Sequence, residues 1–203
     1  RVLAALDAHG LAERTIVIAT SDHGDMDGHH RLIFKGPFMY EQMVRIPLIV
    51  RVPEGFGGTG PQRIADVDVV NTDFAPTLLD FCGAESTEAL SQGRSLYPLL
   101  TGTGRGPERP YVVSQYYSKQ RWVNPIRMLR TPEYKYNRYL VHGEELYDLR
   151  NDPCECVNLA EDPGYARVRR SLAAQLDRWI ERHQDPFYTL RVTDRAGVAL
   201  DPA

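Results

Sequence analysis

Residues 15–41 decide how the chain folds and where its chemistry lies, and they read TIVIATSDHGDMDGHHRLIFKGPFMYE. The run from Thr15 to Thr20 is rich in β-branched and apolar residues, which is typical of a strand buried on both faces in a parallel sheet. Residues 21–35 then bring together three aspartates, three histidines and a lysine. We call the stretch from Asp22 to Lys35 the polar segment. So many polar groups directly after a buried strand cost free energy unless they bind a ligand. A divalent metal that holds an anionic substrate is the simplest explanation.

The composition is that of an ordinary globular protein. The 203 residues suffice for one large domain or two small ones. The net charge of −3 gives no broad basic surface for nucleic acid. No apolar run approaches the roughly 18–20 residues of a membrane-spanning helix. We therefore expect neither nucleic acid nor a membrane as a partner. Because the chain opens at Arg1 and not at a methionine, we expect it to be a piece of a longer protein.

The first hundred residues have the pattern of an α/β domain. Apolar spacing predicts a helix over 2–9, and an apolar run predicts a second buried strand over 47–52. Asn71 or Thr72 is placed to cap a helix that continues through Phe81. Helix, strand, loop, strand and helix in this order indicate an α/β fold.

The composition changes at the glycine- and proline-rich residues 101–110, which we interpret as a linker. Alternating apolar and polar residues then predict an antiparallel sheet with one face in water. Its strands are expected at 111–117, 126–130, 134–141 and 145–149. Residues 164–183 have the pattern of an amphipathic helix. We thus predict three parts: a catalytic α/β part over 1–100, a C-terminal α+β subdomain over 111–184, and a tail over 185–203.

Spacing alone leaves the polar segment open to several interpretations. A solvated turn is the plainest of them. An EF-hand is excluded, because His23 and Phe34 would occupy its first and twelfth positions. A zinc site from His23, His29 and His30 is conceivable, but the spacing matches no known zinc pattern.

The place of the segment favours a metal site. In open α/β sheets, ligands bind beyond the carboxyl ends of the strands, and Asp22 and His23 come directly after a strand. A carboxylate oxygen and an imidazole nitrogen suit a hard or borderline divalent ion. Lys35 adds a point charge that can reach an anionic oxygen.

Motifs along the chain closely resemble the second half of sulfatases, which belong to the alkaline phosphatase superfamily. The motifs are Ser21-Asp22-His23-Gly24-Asp25-Met26, Gly28-x-His30, Lys35-Gly36-Pro37-Phe38-Met39-Tyr40-Glu41, Arg45-Ile46-Pro47-Leu48-Ile49, Asp73-x-x-Pro76-Thr77-Leu78-Leu79-Asp80, Gly93-Arg94-Ser95-Leu96, Arg130-Thr131-Pro132-x-Tyr134-Lys135-Tyr136, Glu145-Leu146-Tyr147-Asp148-Leu149 and Asp152-Pro153-x-Glu155. They occur in the family's order over residues 1–183. The resemblance implies part of an alkaline-phosphatase-like sandwich, with a mainly parallel sheet between helices. A small C-terminal antiparallel sheet with one helix follows it.

The resemblance also assigns roles to residues of the site. It implies that Asp22 and His23 are ligands of a divalent metal, most simply Ca²⁺, with Mn²⁺ open because a histidine stands where the family more often has asparagine. It implies that Lys35 contacts the sulfate and acts in catalysis. His30 and Asp25 are candidates for substrate contact or for support of the ligands. We interpret Glu41 and Arg45 as a structural ion pair or backbone clamp.

The family's nucleophile is a formylglycine made from the first residue of Cys/Ser-x-Pro-x-Arg, and no cysteine or serine of this chain begins such a motif. We therefore expect the formylglycine in a missing N-terminal half of the same enzyme, which would be a partner of this chain. The chain alone is expected to be inactive as a sulfuric ester hydrolase. The expected substrate is a sulfate ester of a small molecule, or a sulfated glycan. A phosphonate or phosphate ester hydrolase of the same superfamily and a non-catalytic calcium-binding fragment remain as alternatives.

Overall fold

The computed structural model of the protein describes residues 1–61, 67–85 and 92–200. The chain forms two compact units, and it passes between them more than once. The first unit comprises Arg1–Ser21 and Pro47–Pro110, and the second comprises Asp22–Ile46 and Tyr111–Ala203. The polar segment therefore belongs to the second unit. The division into a catalytic part, a C-terminal subdomain and a tail stays a prediction. Residues 62–66, 86–91 and 201–203 of these parts lie outside the described residues.

The structure is a mixed α/β fold. Its α-helices are α1 (Val2–Ala8), α2 (Glu41–Val44), α3 (Phe74–Phe81), α4 (Tyr97–Leu100) and α5 (Ala166–Arg182). Its strands are β1 (Val17–Thr20), β2 (Leu48–Arg51), β3 (Val112–Lys119), β4 (Trp122–Arg130), β5 (Tyr134–Tyr139), β6 (Gly143–Asp148), β7 (Val192–Thr193) and β8 (Ala199–Leu200). Among the described residues, no helix is both long enough and apolar enough to cross a membrane.

In the first unit, β1 and β2 pair antiparallel, with Val17 opposite Arg51 and Thr20 opposite Leu48. Both strands were expected from the sequence, but the pattern of residues 15–20 was interpreted as that of a strand in a parallel sheet, and its pairing with β2 is antiparallel. The expectation that the first strand is buried on both faces was also wrong, because Ala19 and Thr20 are exposed. Ile49 of β2 is 68% exposed. A continuous apolar run indicates a tendency to be buried, and it carries no information about the direction of the neighbouring strand.

The buried carboxylate of Asp73 fixes the start of α3. Its two oxygens accept hydrogen bonds from the backbone N–H groups of Val70 and Arg94, at 2.9 and 2.8 Å. The guanidinium of Arg109 donates two further bonds, at 2.9 and 2.8 Å. The helix was predicted correctly, but its predicted cap was wrong. The N-cap residue of α3 is Asp73, and neither Asn71 nor Thr72 caps the helix with its side chain.

The second unit is built on a four-stranded antiparallel sheet in the order β3-β4-β5-β6. One face packs on α5, with Leu129, Tyr136 and Leu146 of the sheet forming a core with Leu172 and Leu176 of the helix. The sheet and the helix were both predicted.

The second face of this sheet is covered as well, so the prediction of a wet face was wrong. Ile126 and Met128 of β4 are buried there with Met39, and Val44 packs against them. Residues 39–44 therefore lie on the sheet and bring the polar segment with them. The sequence pattern did not predict this contact, because the segment and the strand are far apart in the chain.

We expect Asp73→Asn to lower the free energy of unfolding by about 3–5 kcal/mol, because it leaves the guanidinium of Arg109 buried without its counter-charge. The matched control is Glu108→Gln, since Glu108 pairs with Arg105 at the surface, where the two side chains are 81% and 92% exposed. The control should cost less than about 1 kcal/mol. Urea unfolding of the three proteins measures both values, and equal losses in the two variants would contradict the role given to Asp73.

Candidate functional site

The polar segment is irregular and its backbone is strained. Four successive or nearly successive residues have positive φ, namely Asp27 at 43°, Gly28 at 94°, His30 at 53° and Arg31 at 60°. A left-handed conformation costs a residue other than glycine of the order of 1–2 kcal/mol. Such strain persists only where the surrounding contacts impose it, and it is common at functional sites.

Three predicted site residues come together in this segment. The Nζ of Lys35 lies 2.8 Å from His23 Nε2, although the two residues are 12 positions apart. The Oδ2 of Asp22 lies 3.4 Å from the same nitrogen. The structure thus places a carboxylate, an imidazole and an ammonium group around one point.

The hydrogen bonds of His23 indicate its tautomer. Its Nδ1 lies 2.7 Å from the carbonyl oxygen of Gly24, an acceptor, so Nδ1 carries the proton. Nε2 then has a lone pair, which accepts from the ammonium of Lys35. A neutral imidazole whose other nitrogen is fixed on a carbonyl oxygen is the usual state of a histidine that binds metals.

Asp22 is held in its charged form. The backbone N–H of His23 donates to Asp22 Oδ1 at 3.0 Å, and this bond is the main reason why the pKa of Asp22 is lowered. The charge of Lys35 contributes in the same direction. The side chain of Asp22 is 84% exposed, and that of His23 is 35% exposed. The carboxylate is therefore both ionised and accessible at neutral pH.

The donor set of Asp22 and His23 fits two positions around one divalent ion. Two ligand atoms at right angles and each about 2.3 Å from an ion lie roughly 3.3 Å apart. The oxygen and nitrogen of the pair are separated by 3.4 Å. Within the described residues, no group of three or more histidine, cysteine, aspartate or glutamate side chains is gathered to hold a metal. Two donor atoms are fewer than the four or more ligands that a divalent ion takes.

The other two histidines of the polar segment, His29 and His30, lie apart from His23 in their contacts. The ring of His30 stacks on Tyr40, with centroids 3.9 Å apart and planes 12° apart. Nδ1 of His29 faces the side-chain amide of Gln42 at 3.4 Å. The three histidines are thus not assembled as a zinc site. Asp25 makes a long contact of 3.5 Å to the backbone N–H of Asp27 within the loop.

Glu41 has different partners from the one predicted. It pairs with Arg130 at 3.1 Å and with Lys135 at 2.7 Å, and the expected pairing with Arg45 was wrong. Lys135 also pairs with Glu155 at 2.8 Å. We call these four residues (Glu41, Arg130, Lys135 and Glu155) the ion cluster. The sequence reasoning missed the cluster, although its members all lie in the family-like motifs quoted above.

Comparison with known proteins gives a consistent family. Residues 28–182 match the family model described as N-sulphoglucosamine sulphohydrolase, C-terminal. A relative from Bacteroides thetaiotaomicron, Delta 4,5-hexuronate-2-O-sulfatase, is 39% identical over 198 residues, which is 94% of this chain. The chain spans only 40% of that relative's length.

Two solved structures extend the likeness to the fold. A putative sulfatase from the same bacterium superimposes with a TM-score of 0.86 at 36% identity, covering 95% of this chain and 42% of the other. A phosphonate monoester hydrolase from Silicibacter pomeroyi superimposes with a TM-score of 0.78 at 27% identity, covering 98% and 41%. The four-stranded antiparallel sheet and the small C-terminal sheet match these structures. The chain belongs to the sulfatase family of the alkaline phosphatase superfamily, and it carries that family's C-terminal domain.

Proposed function

We propose that this chain supplies the metal-completing and anion-contacting part of a sulfatase site, which acts on a sulfate ester of a small molecule or glycan. The observation that carries the proposal is the convergence of Asp22, His23 and Lys35, with Nε2 of His23 lying 2.8 Å from the lysine and 3.4 Å from the carboxylate. This set offers ligands for a cation and a donor for an anion side by side.

In this proposal Asp22 Oδ2 and His23 Nε2 would bind the divalent metal, which would replace the ammonium of Lys35 at the Nε2 lone pair. Ca²⁺ is the first choice because the family places it there, and Mn²⁺ is the second because one donor is an imidazole nitrogen. The bound metal would supply positive charge that draws the anionic oxygens of the ester into the site. His23 keeps its proton on Nδ1, against the carbonyl oxygen of Gly24, so that Nε2 stays a lone-pair donor.

Lys35 is the catalytic residue of this chain in the proposal. An ammonium group has three N–H donors. One of them is bonded to the lone pair of His23 Nε2 in this structure, and it would be released when that lone pair binds the metal. The remaining donors can bind sulfate oxygens and stabilise the charge that develops on the ester. No cysteine or serine in the sequence begins the motif Cys/Ser-x-Pro-x-Arg. The formylglycine nucleophile is therefore proposed to belong to an N-terminal half of the enzyme, and this chain alone should not hydrolyse sulfate esters.

The names of the relatives support a substrate class. The matching family model is described as a sulphohydrolase of N-sulphoglucosamine, and the relative from Bacteroides thetaiotaomicron is a sulfatase of a hexuronate. Both names describe sulfated sugars. We therefore propose a sulfated sugar as the substrate of the enzyme to which this chain belongs.

Two other functions make different predictions for ligand binding. The likeness to a phosphonate monoester hydrolase supports an enzyme for phosphonate or phosphate esters, built on the same superfamily fold. To separate these activities, the metal-loaded chain can be titrated with 4-nitrophenyl sulfate and with 4-nitrophenyl phenylphosphonate, which are both monoanions. Tighter binding of the phosphonate would favour the second function. A non-catalytic calcium-binding fragment would bind the metal and neither anion.

We expect Asp22→Asn to weaken Ca²⁺ and Mn²⁺ binding at least about tenfold, because it removes a charged ligand. Calorimetric titration of the chain with each metal measures the effect. Asp7→Asn is the matched control, since Asp7 is an exposed residue of α1, and it should bind both metals as the wild type does. Equal affinities of Asp22→Asn and the control would exclude Asp22 as a ligand.

We expect Lys35→Gln to weaken binding of 4-nitrophenyl sulfate to the metal-loaded chain about 10–100-fold, which corresponds to the loss of one charged hydrogen bond of about 1.5–3 kcal/mol. Metal affinity should not fall, because Lys35 is not a ligand and its ammonium group competes with the metal for Nε2 of His23. Lys119→Gln, at an exposed position of β3, is the control and should bind as the wild type does. If both variants bind the anion equally well, Lys35 does not contact the sulfate.

A further inference from the structure

We infer that the ion cluster is a positioning device, which holds the segment that carries Asp22, His23 and Lys35 on the sheet of the second unit. Glu41 is the first residue of α2, Arg130 and Lys135 lie on β4 and β5, and Glu155 lies in the loop after β6. None of them contributes to the proposed metal and sulfate contacts. For its consequence at the metal, the inference rests on the proposed function.

Lys135 is the centre of the cluster. Its side chain is fully buried on β5, and Nζ lies 2.7 Å from Glu41 Oε1. Nζ also donates to the carbonyl oxygen of Met39 at 2.9 Å. A buried ammonium is tolerated only when its donors are satisfied. Two of its three contacts are with residues 39–41, so the sheet cannot satisfy this lysine unless the segment is in place.

Glu155 closes the cluster from the opposite side. Its side chain is fully buried, and Oε1 lies 2.8 Å from Lys135 Nζ in a close ion pair whose angle is not that of a hydrogen bond. Its Oε2 accepts the backbone N–H of Glu41 at 2.6 Å. The backbone of Glu155 has a φ of 57°, a conformation that costs energy in any residue with a side chain. The strained backbone therefore belongs to a residue whose carboxylate is hydrogen-bonded to the backbone of Glu41.

The buried charges of Glu41 and Glu155 are not equally balanced by neighbouring cations. Burial raises the pKa of Glu41, but Lys135 and Arg130 together outweigh burial and leave that pKa lowered. Burial also raises the pKa of Glu155, and Lys135 does not offset it. Glu41 is therefore held by two cations, whereas Glu155 depends on one. Removal of Lys135 would leave the buried charge of Glu155 without its cation, whereas Glu41 would keep Arg130.

The cluster reaches the site through Tyr40. Lys135 binds the carbonyl group before this residue and Glu155 binds the N–H group after it, so the backbone is fixed on both sides. The ring of Tyr40 stacks on His30, which lies in the strained turn between His23 and Lys35. Fixing Tyr40 thus fixes one contact of the turn.

A second contact fixes the start of the loop. The backbone N–H of Gly24 donates to the carbonyl oxygen of Met43 at 2.8 Å. The approach is so close that a Cβ on Gly24 would lie 1.8 Å from the carbonyl oxygen of Gln42. The residue next to His23 is thereby placed on α2, whose first residue is Glu41 of the cluster.

The test compares Glu155→Gln and Lys135→Met with a control on the opposite face of the same sheet. Arg127 forms a buried ion pair with Asp185 at 2.6 Å and is packed on the ring of Phe187, which belongs to the core between the sheet and α5. Arg127→Met should destabilise the unit without loosening the site. Glu155→Gln has nearly the same shape as the native side chain, so it keeps the test valid if Lys135→Met does not fold.

Two measurements on the whole chain report the result. Hydrogen exchange followed by mass spectrometry should show faster exchange in residues 22–44 for both cluster variants, and no such change for Arg127→Met at a similar loss of global stability. Affinity for Ca²⁺ and Mn²⁺ should fall about tenfold in the cluster variants and stay unchanged in the control. The double variant should lose less than the sum of the single losses, because the two residues act on the same contact.

The outcomes separate the inference from the proposed function. If the wild type binds no metal, the proposed metal role fails, while hydrogen exchange still decides whether the cluster positions the segment. If the wild type binds metal and the cluster variants keep both its affinity and its exchange pattern, the positioning role is overturned and the metal role stands. Equal changes of exchange and affinity in the cluster variants and in Arg127→Met would overturn the positioning role. The cluster would then contribute only to the global stability of the unit.

Discussion

The ammonium group of Lys135 is fully buried, and the second unit is organised around its neutralisation. An isolated ammonium in such a place would cost several kcal/mol, and carboxylates must be brought to it from elsewhere in the chain. Glu41 and Glu155 meet this need although they are 114 positions apart. Because Glu41 is one of the two, residues 39–44 lie on the sheet and give it a second covered face. The fold of the polar segment is thus a consequence of a charge requirement in the sheet.

Local patterns in the sequence predicted the individual elements well. The apolar period of residues 166–182 and the alternation over 112–148 depend only on neighbours a few positions apart, so α5 and the four-stranded sheet could be predicted. The direction of β1 relative to β2 could not, because an apolar run has no directional information. Nor could the second covered face of the sheet, since Arg130 lies 89 positions from its partner Glu41. Pairings over such distances depend on the complete fold.

The residues in and around the site also differ in how far the sequence could predict them. Asp22, His23 and Lys35 lie within one short stretch, with His23 and Lys35 12 positions apart, and the family resemblance was enough to single them out. Their convergence in the structure agrees with that choice without testing the roles. Lys135 and Glu155 stand in motifs that also resemble the family, yet a motif does not tell what a residue touches. A buried lysine and a glutamate at a left-handed position are recognisable only when burial and backbone angles are known.

The contrast between the exposed pair and the buried cluster bears on how the proposed site can bind a ligand although it is open to water. Asp22 is 84% exposed, so water competes for its oxygens, and an exposed carboxylate gains little from a single charge partner. Affinity at such a place must come from donors that are already in position before the ligand arrives. The strained turn at His30 would relax if nothing held it, and its stack on Tyr40 connects it to the buried charges. The energy of the ion cluster is therefore what keeps Asp22, His23 and Lys35 in one arrangement.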